Sequence, residues 1–234
     1  MQSHLKTDQR GALWQKIWDR KHADTGLPLH HADGFDLLEN HQYAALTNPF
    51  INWMGPLNEQ RVLEVGCGSG AFGMQLEPCL EFCGIDFSER AVERIKKEMD
   101  GCFKVAEANR IPFEDKYFDC VFSFGVFFYF DSLEYARQSL LEQLRVLRPE
   151  GQLFVFEIND VNKQDIYLHT RGQEERGQHK RSTVDVDHLF YSKSFFTDFA
   201  DEFGLDCEIR DESQMSIEFH SGAKYRFSVR LSKS

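Results

Sequence analysis

The apolar positions of this chain recur at two different spacings. Near the N-terminus, ALWQKIWDRKH places Leu13, Trp14, Ile17 and Trp18 on one face of a helix. DTGLPLHHADG follows and predicts a loop, punctuated by Gly26, Pro28 and Gly34. A second helical stretch covers about 35–54, and Gly55-Pro56 ends it. From residue 61 onward short apolar runs alternate with longer amphipathic ones. RVLEVG (61–66), EFCGID (81–86), CFKVAEA (102–108), the middle of YFDCVFSFG (117–125) and QLFVFEI (152–158) predict strands. Helices are expected over 71–77, 88–99 and 132–147, with Ser88 and Ser132 as caps. The segment 159–188 is polar and breaks the alternation. A helix over SKSFFTDFADEFG, stopped by Gly204, and two strands in LDCEIRDE and KYRFSVRLS complete the chain.

Strands that are apolar on both faces and alternate with helices predict a mostly parallel sheet covered on both sides. The expected architecture is α/β and Rossmann-like, with seven strands, helices on both faces and an N-terminal helical cap. The cap is expected over 1–58 and the sheet domain over 59–234, with a lid or substrate insertion at about 159–190. Ligands of such sheets sit beyond the carboxyl ends of the strands. That rule singles out 66–70, Asp86, 107–110, 123–125 and 157–160 before any motif is considered.

Composition narrows the function. The chain has 234 residues, 41% of them hydrophobic and 28% charged, an ordinary globular balance. A formal charge of -11 weighs against a nucleic-acid partner, because phosphate contacts need Lys and Arg. No apolar run approaches a membrane span, and the first ten residues form no apolar leader, so a cytoplasmic protein without a membrane partner is expected. The six cysteines show no zinc spacing and the nine histidines no H-E-x-x-H, so no metal is expected and the cysteines read as buried free thiols.

The turn Gly66-Cys67-Gly68-Ser69-Gly70 lets a ligand approach bare backbone. Asp86 ends the second strand, where its carboxylate can accept from both hydroxyls of a ribose; capping a helix is the rival role. Ribose is common to dinucleotides and to S-adenosylmethionine. Glu64, two residues before the turn, would repel a pyrophosphate and orient a cationic amino-acid tail. A strand carboxylate satisfied by backbone amides is its alternative. The chain also lacks the Tyr-x3-Lys pair of one class of dehydrogenase.

VLEVGCGSG, GIDFS, EANRIPFEDKYFDCVFS and LRPEGQLFVFE resemble, in order and spacing, the motifs of class I S-adenosylmethionine-dependent methyltransferases, in particular the small-molecule branch called type 11. The resemblance covers about 60–158. It implies that Gly66, Cys67, Gly68 and Gly70 cradle the methionine portion of the cofactor, with Glu64 on its amino group. Asp86 would hold the ribose, Phe87 would lie on the adenine, and Glu107 with Ala108 would read the adenine edge. Ser123 and Phe124 would line the cofactor from the fourth strand. Relatives often carry a histidine just past that strand; Tyr129 stands there instead.

Methyl transfer needs alignment, exclusion of water and, for some acceptors, removal of a proton. His30, His31, Tyr129, Asp160, His169 and His188 have suitable chemistry, and Tyr129, Asp160 and His31 are the leading candidates. The expected acceptor is a small molecule, and the sequence does not give an oligomeric state. Three rival functions share the same sheet: an NAD-dependent oxidoreductase or epimerase, a non-catalytic cofactor-binding partner subunit, and an RNA or protein methyltransferase.

Overall fold

The computed structural model describes residues 7–176 and 188–233. Its centre is a seven-stranded sheet in the order β3-β2-β1-β4-β5-β7-β6. The strands are β1 (Arg61–Val65), β2 (Glu81–Asp86), β3 (Cys102–Val105), β4 (Phe118–Phe124), β5 (Leu147–Asn159), β6 (Asp206–Asp211) and β7 (Arg226–Ser232). β7 runs antiparallel to both neighbours and the remaining pairs are parallel, as the alternating pattern predicts. The order reverses between β1 and β4, so a crevice opens at their carboxyl ends.

Strand alternation feeds two cores. Leu63, Val65, Ile85, Val121 and Val155 point into one; Val62, Phe82, Phe122, Phe154 and Phe156 point into the other. Helices α5 (Leu133–Val146) and α7 (Lys193–Phe203) cover the first core. Helices α3 (Asn40–Met54) and α4 (Glu89–Glu98) cover the second. The predicted serine caps form: Ser88 and Ser132 each accept a hydrogen bond from the backbone N–H three residues on, and Ser192 caps α7 in the same way. Gly204 ends α7 in the left-handed conformation.

Several elements differ from expectation. The expected loop near Pro28 contains a single helical turn, α2 (Leu29–Ala32). The helix expected over 35–54 starts only at Asn40, where Glu39 and Gln42 form a reciprocal capping box. The helix expected over 71–77 is only a 3-10 turn, Gly73–Gln75. Pro78 follows too soon for a full helix, and it disfavours helical geometry at Glu77. β3 stops at Val105, which frees 106–108 to form the loop beyond it. Part of the polar insertion is ordered helix, α6 (Gln164–Arg176); its residues 177–187, with Lys180 and Arg181, lie outside the described residues. The six cysteines are unpaired, and Cys79, Cys102 and Cys207 are only partly buried.

Candidate active site

The crevice between β1 and β4 deepens into a cavity of about 400 Å³. Helix α1 (Thr7–Ala23) roofs it. Gly11, Trp14, Gln15, Trp18 and His22 recur at helical spacing along α1, and all line the cavity. The roof is tied down at several points. Ser88 Oγ donates to Asp19 at 2.6 Å, and Gln15 Nε2 to the Phe87 carbonyl at 3.4 Å. Arg94 of α4 grips the carbonyls of Asp24 and Leu27.

The floor is the glycine turn. Gly66 and Gly68 have φ of +79° and +51°, where side chains are rarely tolerated. A Cβ at Gly66 would lie 2.5 Å from Val126, and one at Gly68 would lie 2.4 Å from the Asp33 carboxylate. Asp33, beside α2, accepts from Ser69 N–H at 2.7 Å and Ala71 N–H at 3.2 Å. His22 Nε2 meets the same carboxylate at 3.0 Å. The amides freed by the missing helix are therefore satisfied by the N-terminal segment.

Two carboxyl groups stand at the strand ends. Glu64 is 2% exposed, and its Oε2 has no hydrogen-bond partner. Burial, reinforced by Asp33 and Asp86, pushes its pKa well above the carboxylate range. Backbone amides therefore leave Oε2 unsatisfied, and burial disfavours the charged form at the cavity wall. Asp86 accepts from Gly68 N–H at 2.9 Å and Ser88 N–H at 2.8 Å. Its pKa is pushed up to about 6, chiefly by burial, against the lowering effect of those amides and His22.

Phe87 packs with Trp14, Trp18 and Tyr129 in a small aromatic cluster. Glu107 and Ala108 line the far end, where Tyr135 of α5 donates its hydroxyl to Glu107 Oε2 at 2.6 Å. Cys67 and Phe124 also line the cavity, whereas Gly70 and Ser123 do not. Gly70 packs against Ile95, and Ser123 is fully buried.

Of the three candidate proton-transfer groups, only Tyr129 reaches the cavity. Asp160 is 2% exposed and caps the 3-10 turn Val161–Lys163, accepting from Asn162 N–H at 2.9 Å. His31 bonds the Leu38 carbonyl at 2.9 Å. Both are consumed by local backbone and stand apart from the cavity.

Tyr43, on α3, was not singled out by the sequence. It is 3% exposed and lines the cavity. Burial, with Asp33, Glu64 and Glu157 nearby, holds its pKa far above the ordinary tyrosine range, so it stays a donor. No motif marks Tyr43, Asp33 or Tyr135, because each reaches the cavity only through the packing of a helix or its flank.

The geometry has close counterparts. A family model describing a methyltransferase domain, type 11, matches residues 63–155. That span holds β1, β2, β4 and the glycine turn, in the order that the motifs predict. Residues 63–155 carry a type 11 methyltransferase domain, of the class I S-adenosylmethionine-dependent kind. This match displaces the dinucleotide oxidoreductase alternative. A demethylmenaquinone methyltransferase of Thermotoga maritima is 34% identical over 110 residues, covering 45% of this chain and 47% of that one. A probable tRNA methyltransferase 9B of Mus musculus is 31% identical over 96 residues, covering 41% of this chain and 21% of that one. The chain thus spans about half or less of the length of these curated relatives. Among solved structures, a Haemonchus contortus phosphoethanolamine N-methyltransferase 1, in complex with phosphoethanolamine and S-adenosylhomocysteine, superposes with a TM-score of 0.70. It is 15% identical; the match covers all of this chain (100%) and 51% of that one, and shows the shared methyltransferase fold. No helix among the described residues is long and apolar enough to cross a membrane.

Proposed function

We propose that this chain binds S-adenosylmethionine in the cavity under α1 and transfers its methyl group to a small-molecule acceptor. The observation that carries the reading is Glu64: a buried carboxyl, one oxygen unpartnered, two residues before a bare glycine turn. A cationic amino group supplies the missing donor and draws the carboxyl into its charged form, whereas a pyrophosphate offers no donor to Oε2. The bound cofactor supplies an electrophilic methyl group on a sulfonium. The chain's own residues bind and orient it. Gly66, Cys67 and Gly68 offer backbone, Asp86 accepts from the ribose hydroxyls, and Phe87 lies against the adenine. Glu107 accepts from the adenine amino group, with its carboxylate aimed by Tyr135. Gly70 and Ser123 act indirectly, by shaping the turn and the strand end.

Tyr129 and Tyr43 face the space left for an acceptor. Tyr43 donates a hydrogen bond, and Tyr129 is the candidate to relay a proton. The small-molecule acceptor is supported by the cavity under α1, whose volume lies near the lower end of ligand clefts. The net charge of -11 weighs against a nucleic-acid acceptor. We place the domain boundary after α3, with α6 as the described part of a cover on the acceptor side.

Titration calorimetry with S-adenosylhomocysteine tests the reading. Binding in the micromolar range is expected at pH 7.5, and no heat at high micromolar ligand would overturn it. Methyl transfer to any acceptor separates an enzyme from a non-catalytic partner subunit, which binds without turnover.

Two further outcomes follow from the geometry. Cofactor binding needs Asp86 ionised, and its carboxyl titrates at about 6 in the free protein. Affinity is expected to fall by up to about fourfold between pH 7.5 and 5.5, as the acceptor becomes protonated. A flat pH profile would contradict the assigned contact. Tyr135→Phe leaves Glu107 unheld and is expected to weaken binding about fivefold, the value of one modest hydrogen bond. The same calorimetry reads it, and unchanged affinity would remove Glu107 from the adenine site.

A further inference from the structure

Asp33, Glu64, Asp86, Glu107 and Asp131 line the main cavity, with no lysine or arginine among its described walls. An anionic group on the methyl acceptor is therefore disfavoured there. A second, smaller pocket of about 40 Å³ lies directly behind the rings of Trp18 and Tyr129, which line both spaces. Its walls have the opposite character. Lys21, Arg171, Arg226 and His188 line it beside Tyr167 and, among the described residues, one carboxylate, Asp36.

Arg226 makes this pocket a built one. The residue is 6% exposed. Its Nε donates to Asn159 at 3.1 Å, and its Nη1 to Glu157. Its Nη1 also meets His220 Nε2 at 2.9 Å, and Arg226 lines the pocket. A guanidinium fixed through Nε and Nη1 at the wall of a small pocket is preorganised for an oxyanion. Lys21 is held at 3.0 Å by Asp36, so it contributes field more than a bond. Tyr167 and Arg171 of α6 stand together on another wall, the Arg171 guanidinium donating to the Tyr167 hydroxyl. The Tyr167 hydroxyl also lies 3.2 Å from His188 Nδ1. The space takes about three water molecules, the size of one carboxylate or phosphate head and no more.

We infer that this pocket holds the oxyanion head of the methyl acceptor, a carboxylate or a phosphate, while the rest of the acceptor passes Tyr129 into the cofactor cavity. The second half rests on the methyltransferase reading; anion binding itself does not. The opposed charges of the two spaces give the acceptor one orientation, anionic end away from the cofactor.

The test titrates inorganic phosphate and, separately, acetate into the protein with and without saturating S-adenosylhomocysteine. Saturable millimolar binding of phosphate, acetate or both is expected. Preference for one distinguishes a phosphorylated from a carboxylated acceptor. Arg171→Gln and Tyr167→Phe are each expected to weaken the anion about five- to tenfold, with S-adenosylhomocysteine affinity unchanged. That unchanged affinity also shows that the variants are folded, and Tyr167→Phe removes only a hydroxyl. Absence of binding by both anions would overturn the inference, as would anion affinity indifferent to both substitutions. Failure of S-adenosylhomocysteine to bind, with phosphate still bound, would instead strike the methyltransferase reading and leave the anion pocket standing.

Discussion

Asp86→Ala is expected to weaken S-adenosylhomocysteine binding by about a hundredfold. Hydrogen bonds to a charged group contribute about 1.5–3 kcal/mol each, so losing two ribose contacts costs at least about 3 kcal/mol. The substitution also strips Gly68 N–H and Ser88 N–H of their acceptor, which loosens the turn that the cofactor rests on. Asp86→Asn separates the two effects, since it keeps an oxygen for the amides but loses the charge. Calorimetry on both variants reads the ladder, with the asparagine in between. Near-wild-type affinity of the alanine variant would remove the ribose from this carboxylate.

The largest effect on stability is expected at Arg226→Met. β5 carries a register shift between Val155 and Ile158, and Glu157 there adopts φ of +66°. That bulge places a fully buried carboxylate against Arg226 on β7, with His220 at 2.8 Å. Burial alone would raise the Glu157 pKa; Arg226 and His220 outweigh it and hold it at about 2. Glu212, also fully buried beside it, is pushed the other way, by burial first and then by Glu157. It accepts from Glu157 N–H at 2.9 Å and Ser228 Oγ at 2.6 Å. Removing the guanidinium leaves a buried charge without its main partner, a loss of about 3–5 kcal/mol. The melting temperature should fall on the order of 10 °C. Adding Glu157→Gln to Arg226→Met should restore part of it. A loss under about 1 kcal/mol would mean that the pair is solvated in the folded protein. The same pair sets an acid limit. Its stabilisation is complete above the ordinary carboxylate pKa and is lost as pH falls from there towards about 2.

The parts of this molecule legible from its sequence are those specified by neighbours along the chain. Strands buried on both faces are apolar throughout, and serine caps announce α4 and α5 three residues ahead of the amides they bind. The glycine turn and Asp86 were visible for the same reason: backbone geometry and strand ends are local properties. The missing helix after β1 was harder to see, because the turn's amides are taken instead by Asp33, more than thirty residues upstream (a separation of 36 to Ser69). Asp160 reads as a site residue by topology, yet its carboxylate is consumed in capping the next turn. The Glu157, Glu212 and Arg226 cluster is invisible in sequence, since its members lie 55 and 69 positions from Glu157 and no period links them. Tyr43 reaches the cavity only because α3 packs over β4 and β5, a fact of tertiary packing.

The most direct measurement of the central proposal is a crystal structure of the protein with S-adenosylhomocysteine. The ribose hydroxyls are predicted on Asp86, the amino group on Glu64 Oε2, the adenine amino group on Glu107, and the sulfur facing Tyr43 and Tyr129. A cofactor seated elsewhere, or one whose amino group avoids Glu64, would contradict the account.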